Sequence, residues 1–261
     1  MNWQLEKTYF DLQSADGTAL IGYRAAFGGR RLKLPYEAWL LKRPGRPAVL
    51  KQTVKSGALK VDDQGVEWRN NRLGIHGRWA GGPEAWPRLQ ADFPEGRIDW
   101  QVRGAAVPVR LNFGRGDWFQ GLGYWENLKM TLPPWRLPFP ELKWGRFLSD
   151  DASLWLVWVA WLGGPQEEKR LWSAQGELGA LSFLGSGLTC RGGRLDFVTS
   201  EILRQGELFK SLGASAAVCS KLLPHGLGRT VEDKRLSRSR WLPEGGRAVE
   251  GWSIHETVYW R

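Results

Sequence analysis

The chain has 261 residues, of which 42% are hydrophobic and 25% charged, so it can bury a substantial core and lacks the composition of a disordered chain. Its formal net charge is +10, from 37 Lys and Arg against 27 Asp and Glu. The basic residues are spread along the chain, and their dense cluster at 228–241 contains Glu232 and Asp233 and no nucleic-acid-binding motif. We therefore expect a solvated basic surface, with peripheral membrane contact as the second interpretation, and no nucleic-acid partner.

Cysteine content and apolar runs bear on the compartment. The two cysteines, Cys190 and Cys219, form no Cys-x-x-Cys pair, which favours either a reducing compartment or a thiol count without importance. Residues 1–17 show no basic region followed by an apolar run, so we expect no signal peptide. The longest apolar run, at 154–162, is far shorter than the roughly 20 residues of a membrane-spanning helix. The sequence therefore predicts a cytoplasmic protein.

The first 120 residues read as a series of β-hairpins. Period-two alternation between turn-rich segments recurs along this half, and no stretch shows helical periodicity. The predicted strands are 9–13, 19–27, 36–42, 48–55, 57–61, 66–70, 97–104 and 105–113.

The second half begins with a proline-rich stretch, 131–140, which excludes a central strand or a helix interior. The run 154–162 reads as a strand that is buried on both faces. Further strands are predicted at 177–185, 194–200 and 251–261, and one helix at 200–212 with Ser200 as its N-cap. These patterns predict an all-β fold with two antiparallel domains, 1–120 and 121–261, the second opening with a Pro/Trp-rich connecting segment at 121–147.

Motifs for several common site types are missing. The three histidines, His76, His225 and His255, lie too far apart in sequence for a recognisable metal spacing. Neither a Gly-x-Ser-x-Gly elbow nor a dinucleotide, P-loop or kinase signature occurs. We therefore expect no metal and no cofactor, which leaves acid–base chemistry on an apolar substrate, or binding alone.

Several short motifs carry a resemblance to a known group of proteins. They are GLGYWE at 121–126, WGRF at 144–147, the early SADGTALIGYRAAF and the closing GWSIHETVYW. The chain resembles the carotenoid 1,2-hydratase (hydroxyneurosporene synthase) and tocopherol cyclase superfamily, which includes lipocalin-like pericyclases. It departs from the cyclases by a longer link, 128–143, between the Glu and the Trp-Gly-Arg.

The resemblance implies a fold and a chemistry. The fold would be two packed antiparallel lipocalin-like β-barrels or sandwiches with an apolar pocket. The chemistry would be addition of a proton to an isoprenoid double bond, after which water or an internal nucleophile captures the carbocation. The partner would be a small hydrophobic isoprenoid or polyene. The sequence indicates no oligomeric state.

Glu126 is the candidate catalytic acid, because burial beside aromatic rings raises a carboxyl pKa enough to retain a proton at neutral pH. Tyr124 and Trp125 would supply that setting, although strand alternation places Tyr124 and Glu126 on one face and Trp125 on the other. The structural alternative is that Glu126 forms an ion pair with Arg146 or another basic group.

Other candidate residues would contact the substrate or pack in the core. Trp125, Trp135 and Trp144 could stabilise a developing cation through their ring faces, at about 0.5–2 kcal/mol each, or pack in the core. Arg146 is a candidate substrate contact or an inter-strand ion-pair partner. Asp117 is a second acid candidate in a glycine-rich turn.

Three functions follow from this reading. The first is a lyase or cyclase/isomerase that hydrates or cyclises its substrate by protonation. The second is a pericyclase that shapes a polyene without an essential acid. The third is a non-catalytic carrier of a lipophilic ligand, since an eight-stranded barrel can enclose one small molecule.

Overall fold

The computed structural model describes residues 3–29, 32–81, 87–114, 118–207 and 230–260, apart from the side chain of Leu32. In these ranges the chain forms nineteen β-strands and one 3-10 turn, Pro134–Arg136, with antiparallel strand pairing in two sheets. The predicted all-β class is confirmed. The helix predicted at 200–212 is wrong where it can be checked, because 200–207 belong to a strand and 208–212 lie outside the described residues.

The first sheet has ten strands. They are β1 (Trp3–Gln13), β2 (Ala19–Gly29), β3 (Leu32–Lys42), β4 (Val49–Thr53), β5 (Ala58–Asp62), β6 (Gly65–Asn70), β7 (Ile75–Ala80), β8 (Arg88–Phe93), β9 (Gly96–Asn112) and β10 (Trp118–Met130). Their order is β4-β3-β2-β1-β10-β9-β7-β6-β5, with β8 also paired to β9. The two segments predicted as separate strands at 97–104 and 105–113 form one continuous strand, β9, with a left-handed residue at Ala106 (φ 53°).

The chain divides into two compact units, residues 1–136 and 137–261. The boundary that the sequence suggests, between 120 and 121, falls inside β10, and β10 pairs with β1 and β9 of the first sheet. The connecting segment predicted at 121–147 is therefore shared between the two units.

Alternate residues of the first sheet form a core that is rich in tryptophan. Trp39, Trp68, Trp79 and Trp125 belong to it. The Trp68 ring stacks on Phe10 at a centroid distance of 5.5 Å, although β6 and β1 are four places apart in the strand order. The first sheet therefore curls over its own apolar face, as a lipocalin-like unit requires.

Glu37 links strands across the curled first sheet. Its side chain is fully buried on β3. Its Oε2 accepts hydrogen bonds from Trp68 Nε1 at 2.9 Å and Asn70 Nδ2 at 2.7 Å, and its Oε1 accepts one from the Gly57 amide at 2.8 Å. The Arg24 Nε lies 3.2 Å from Oε1. A buried donor without an acceptor costs free energy, so this carboxylate stabilises the packing of β3 against the β5–β6 hairpin.

The second sheet has nine strands. They are β11 (Glu141–Ser149), β12 (Trp155–Leu162), β13 (Glu168–Ser173), β14 (Gly176–Glu177), β15 (Ser182–Leu184), β16 (Gly187–Cys190), β17 (Gly193–Glu207), β18 (Val231–Pro243) and β19 (Val249–Tyr259). Their order is β14-β13-β12-β11-β19-β18-β17-β16-β15.

Strand β12 is buried on both faces, which confirms the prediction for the run 154–162. Leu156 and Trp158 pack in the apolar core of the second unit, and Val157 and Val159 are buried on the opposite face. None of the described elements is a helix of the length and apolarity that crossing a bilayer would need.

Candidate functional site

Two copies of one tripeptide pattern, Tyr-aromatic-acid, lie side by side in the first sheet. The first copy is 9–11 on β1 and the second is 124–126 on β10. The antiparallel register pairs Tyr9 with Glu126 and Asp11 with Tyr124. Because side chains alternate along a strand, these four residues share one face of the sheet, and the middle residues point to the tryptophan-rich core.

Each tyrosine in this group donates to the carboxylate two residues later on its own strand. Tyr9 Oη donates to Asp11 Oδ2 at 3.2 Å, and Tyr124 Oη donates to Glu126 Oε2 at 2.5 Å. The two tyrosine rings meet edge to face with centroids 5.9 Å apart. Tyr9, Asp11 and Tyr124 are at most 1% exposed, and Glu126 is 4% exposed. We call these four residues the tyrosine–carboxylate cluster.

A second donor, on another strand, fixes Glu126. Trp100 of β9 is buried and donates from Nε1 to Glu126 Oε2 at 2.6 Å. Two neutral donors, a phenol and an indole, therefore meet the same carboxylate oxygen. This arrangement holds the side chain in one orientation, with both bonds accepted by Oε2.

Aromatic rings and one cation continue the face on β1 and β2. The Tyr23 ring meets that of Tyr9 at 5.6 Å. The Lys7 ammonium lies 5.7 Å from the Tyr9 ring centroid and 5.4 Å from that of Tyr23. The rings beside the cluster therefore already have a cation within attractive range.

The pairing of β10 with β9 is irregular beside the cluster. The register shifts between Gly123 and Trp125 and again between Trp125 and Glu126, and β9 contributes the extra residues. Gly104 lies at this point, where an added Cβ would come 2.6 Å from the Trp125 indole nitrogen. Bulges of this kind re-aim side chains and are common next to active sites.

Of the residues predicted for the site, the structure brings Tyr124 and Glu126 together by a hydrogen bond. Trp125 lies on the opposite face, in the core, as alternation requires. Its Nε1 is buried and has no hydrogen-bond partner in the described part of the chain. Trp125 therefore does not line the face that carries Glu126. Trp135 lies in the 3-10 turn, where its ring meets that of Trp3 at 5.9 Å.

Trp144 and Arg146 belong to the second unit. They are alternate residues of β11, so they share one face of the second sheet, and both are buried. Arg146 Nη1 donates to the Trp252 carbonyl at 3.4 Å. Asp117 lies outside the described residues.

Sequence reasoning missed Tyr9, Asp11 and Trp100. The recurrence of Tyr-aromatic-acid at 9–11 and 124–126 was the available signal for the first two. The indole of Trp100 had no comparable signal, because its contact with Glu126 depends on the register between β9 and β10.

The second unit holds a separate buried ion cluster. Lys234 Nζ lies 2.7 Å from Glu232 Oε1 and also contacts Glu256, and Arg204 Nε lies 3.2 Å from Glu232 Oε2. Burial alone would raise the pKa of Glu232, but the nearby Lys234 and Arg204 charges outweigh it and hold that pKa at about 2. Glu232 therefore stays ionised at neutral pH.

A histidine on β19 contacts a chain of serines. His255 Nε2 is 2.8 Å from Ser237 Oγ, which is 2.5 Å from Ser200 Oγ. The His255 ring stacks on Phe197 at 4.1 Å. Burial lowers the pKa of His255 to about 4, and the charge of Arg235 acts in the same direction. The imidazole is therefore neutral at pH 7.

An open depression of about 530 Å³ lies in the second unit, where Cys190, Arg194, Pro243 and Glu244 are among its lining residues. It contains none of the residues predicted for the site. Within the described ranges, no group of three or more His, Cys, Asp or Glu side chains could hold a metal ion.

No family model and no curated protein sequence matches the chain. Solved structures match it. A putative AttH from Nitrosomonas europaea aligns over 100% of this chain and 94% of its own, with a TM-score of 0.60 and 11% identity. CghA with Sch210972 aligns over 98% and 88%, with a TM-score of 0.59 and 10% identity. Kievitone hydratase from Nectria haematococca aligns over 99% and 89%, with a TM-score of 0.54 and 8% identity.

At these identities the likeness shows a shared fold. The chain therefore has the two-sheet, lipocalin-like fold of these proteins. The narrower resemblance to carotenoid 1,2-hydratases and tocopherol cyclases stays a prediction.

Proposed function

We propose that the chain is an enzyme that protonates a double bond of a hydrophobic isoprenoid or polyene, and so hydrates or cyclises it without a cofactor. The observation that carries this proposal is Glu126, a buried carboxyl group held by Tyr124 and Trp100 in an aromatic setting. Proton transfer to an alkene needs such a group, fixed in place and shielded from bulk water.

The two donors suit Glu126 to this task because both reach Oε2. In the protonated acid Oε2 would be the carbonyl oxygen, and Oε1 would carry the proton. After transfer, Tyr124 and Trp100 would donate to a carboxylate, and hydrogen bonds to ionised groups are roughly twice as strong as neutral ones. The donors therefore stabilise the conjugate base as it forms, which lowers the barrier of the protonation step.

The neighbouring rings suit the other product of that step, the carbocation. Tyr9 and Tyr23 lie beside the carboxyl groups with the Lys7 ammonium within range of both rings. A substrate cation that took the place of this ammonium would gain about 0.5–2 kcal/mol from each ring. Trp135, Trp144 and Arg146 remain predicted substrate contacts.

The names of two of the similar structures support the proposal. One is a hydratase, and another was crystallised with the small molecule Sch210972. A fold does not determine a reaction, so the argument depends on the tyrosine–carboxylate cluster.

The test compares the wild-type protein with Glu126→Gln on extracted isoprenoid and polyene lipids, with products read by mass spectrometry. A matched control is Glu6→Gln, which changes an exposed carboxylate on β1. We expect a product that has gained one water, or an isomer of unchanged mass, with the wild-type and control proteins and none with Glu126→Gln. Turnover that survives Glu126→Gln would instead indicate a pericyclase, and lipid retained unchanged by all three proteins would indicate a carrier.

A further inference from the structure

A chain of three hydrogen-bonded side chains crosses three neighbouring strands of the second sheet. His255 lies on β19, Ser237 on β18 and Ser200 on β17. His255 Nε2 is 2.8 Å from Ser237 Oγ, and Ser237 Oγ is 2.5 Å from Ser200 Oγ. We call these three residues the serine–histidine chain. It shares no residue with the tyrosine–carboxylate cluster of the first unit.

The serine–histidine chain joins a surface hydroxyl to an imidazole through a buried hydroxyl. Ser200 is exposed, Ser237 is fully buried and His255 is half-buried. A serine hydroxyl donates one hydrogen bond and accepts two, so Ser237 can accept from Ser200 while it donates to His255. Because burial and the charge of Arg235 lower the pKa of His255 to about 4, the imidazole is neutral at pH 7 and Nε2 can accept that bond. The chain therefore offers the Ser200 proton a path to a base.

Strand β17 is irregular on both sides of Ser200. Its register with β18 shifts between Phe197 and Thr199 and again between Ile202 and Arg204. The ring of Phe197, just before the first shift, stacks on the His255 imidazole at 4.1 Å. Bulges re-aim side chains and are common next to active sites. The exposed serine therefore lies in a short regular segment between two bulges, one of which adjoins the residue that stacks on the base.

Large apolar side chains are exposed near Ser200 on the same strand. Val198 is 54% exposed and Ile202 is 51% exposed. Ile202 shares a face of the strand with Ser200, because the register between 199 and 202 is regular. Exposed apolar side chains grouped around polar ones are a common feature of binding surfaces. An apolar acyl group bound beside Ser200 would cover this surface.

Arg235 places a positive charge beside the serine–histidine chain. It alternates with Ser237 along β18 and pairs directly with His255 of β19, so it lies on the same face of the sheet. Hydrogen bonds from its Nε and Nη2 to Asp233, at 2.9 Å each, hold the guanidinium in place. A fixed cation stabilises the negative oxygen that forms when a hydroxyl attacks a carbonyl group.

We propose that Ser200 is the nucleophile of a second active site, in which Ser237 relays its proton to His255, and that this site hydrolyses carboxylic esters of apolar acyl groups. A serine hydroxyl becomes a nucleophile when a base takes its proton as it attacks. This activity lies in the second unit and does not depend on the proposed role of Glu126.

Ester hydrolysis at this site needs water as its only co-substrate. Ser200 Oγ forms a bond to the ester carbonyl carbon, its proton passes to Ser237 Oγ, and the Ser237 proton passes to His255 Nε2. The bond to the leaving alcohol then breaks, the alcohol takes the proton back from the imidazolium, and an acyl-Ser200 ester is left. Water attacks that ester by the same proton path, which releases the carboxylic acid and restores the three residues.

The experiment uses p-nitrophenyl butyrate as the ester and an alkyl fluorophosphonate as a second serine-directed probe. Wild-type protein is compared with Ser200→Ala, Ser237→Ala and His255→Gln, each checked for folding by thermal melting. The matched control is Ser182→Ala, which removes an exposed serine from another strand of the second sheet. Release of p-nitrophenol is followed from the first turnover, and the modified peptide is identified by mass spectrometry.

We expect wild-type and Ser182→Ala proteins to show a burst of p-nitrophenol and to carry the butyryl or phosphonyl group on Ser200. Ser200→Ala should show neither. Ser237→Ala and His255→Gln should be acylated on Ser200 about 100-fold more slowly or less, as expected for loss of general-base assistance. Ser200→Ala changes only an exposed hydroxyl, so it decides the question even if a buried substitution prevents folding.

Three results would overturn the proposal. The first is a wild-type protein that neither probe modifies on Ser200. The second is a burst in folded Ser200→Ala that equals that of the wild type. The third is acylation of Ser200 in folded Ser237→Ala and His255→Gln that is slower by less than about tenfold, which would remove the relay to the imidazole.

Discussion

Replacement of Glu37 by Leu should destabilise the first unit strongly, because Glu37 is the buried acceptor between β3 and the β5–β6 hairpin. Its loss leaves the Trp68 indole N–H, the Gly57 amide and one Nδ2–H of Asn70 without their acceptor, while the other Nδ2–H of Asn70 keeps the Lys55 carbonyl at 3.1 Å. Each orphaned buried donor costs about 1–3 kcal/mol. Three of them give a loss of about 6 kcal/mol in the free energy of unfolding.

The assay is urea unfolding followed by tryptophan fluorescence, together with hydrogen exchange at the Gly57 amide. A matched control is Glu67→Leu, which removes a half-exposed glutamate on β6 whose partner is His76. The control should lose less than about 1 kcal/mol, as surface ion pairs do. A loss below about 1 kcal/mol for Glu37→Leu, or unchanged exchange at Gly57, would refute the claim that this carboxylate stabilises the curled sheet.

Three further perturbations have defined outcomes. The pKa of His255 is about 4 in the folded protein against an ordinary value of 6.5, so up to about 3 kcal/mol of stability is present above pH 6.5 and is lost as the pH falls towards 4. His255→Gln should therefore reduce the pH dependence of the unfolding midpoint between pH 6.5 and pH 4. An unchanged pH dependence would contradict the burial of a neutral imidazole. Lys234→Met should cost about 3–5 kcal/mol at pH 7 by urea unfolding, and less as the pH falls towards the Glu232 pKa of about 2, where that carboxylate takes up a proton; a neutral effect at pH 7 would show that the ion cluster is not needed. Trp100→Phe keeps an aromatic side chain, although a smaller one, but removes a donor to Glu126, so we expect about 10- to 100-fold slower turnover with unchanged ligand affinity by fluorescence titration, and unchanged turnover would mean that this bond does not assist the reaction.

Much of the fold follows from local sequence patterns. Turn residues between alternating segments predicted the β1–β2 and β3–β4 hairpins, and their registers close around those turns. The apolar run 154–162 predicted a strand buried on both faces. These features depend on alternation and turn chemistry, which are readable from neighbouring residues.

The helix predicted at 200–212 shows where strand pairing overrides a local sequence pattern. Residues 200–207 continue β17, which pairs with β18 through two register shifts. Helix preference is a weak local signal that tertiary pairing overrides, and a long ladder of backbone hydrogen bonds with β18 outweighs it here.

The candidate site was predictable only in its β10 half. Alternation placed Tyr124 and Glu126 on one face, and their hydrogen bond agrees with that placement. Asp11 and Trp100 could not be joined to them from sequence, because a domain boundary at 120 separated β1 and β9 from β10. Strand pairing between residues more than 100 positions apart in the chain is what brings Asp11 beside Glu126.

Deuterium transfer to carbon is the most direct test of the claim that Glu126 protonates an alkene. Wild-type protein and Glu126→Gln are incubated with the isoprenoid and polyene lipids in heavy water, and lipid binding by both is measured through tryptophan fluorescence. We predict one carbon-bound deuterium per product with the wild type and none with Glu126→Gln, which should still bind the lipid. Carbon-bound deuterium that persists in Glu126→Gln, or product formed by the wild type with no deuterium on carbon, would contradict the account.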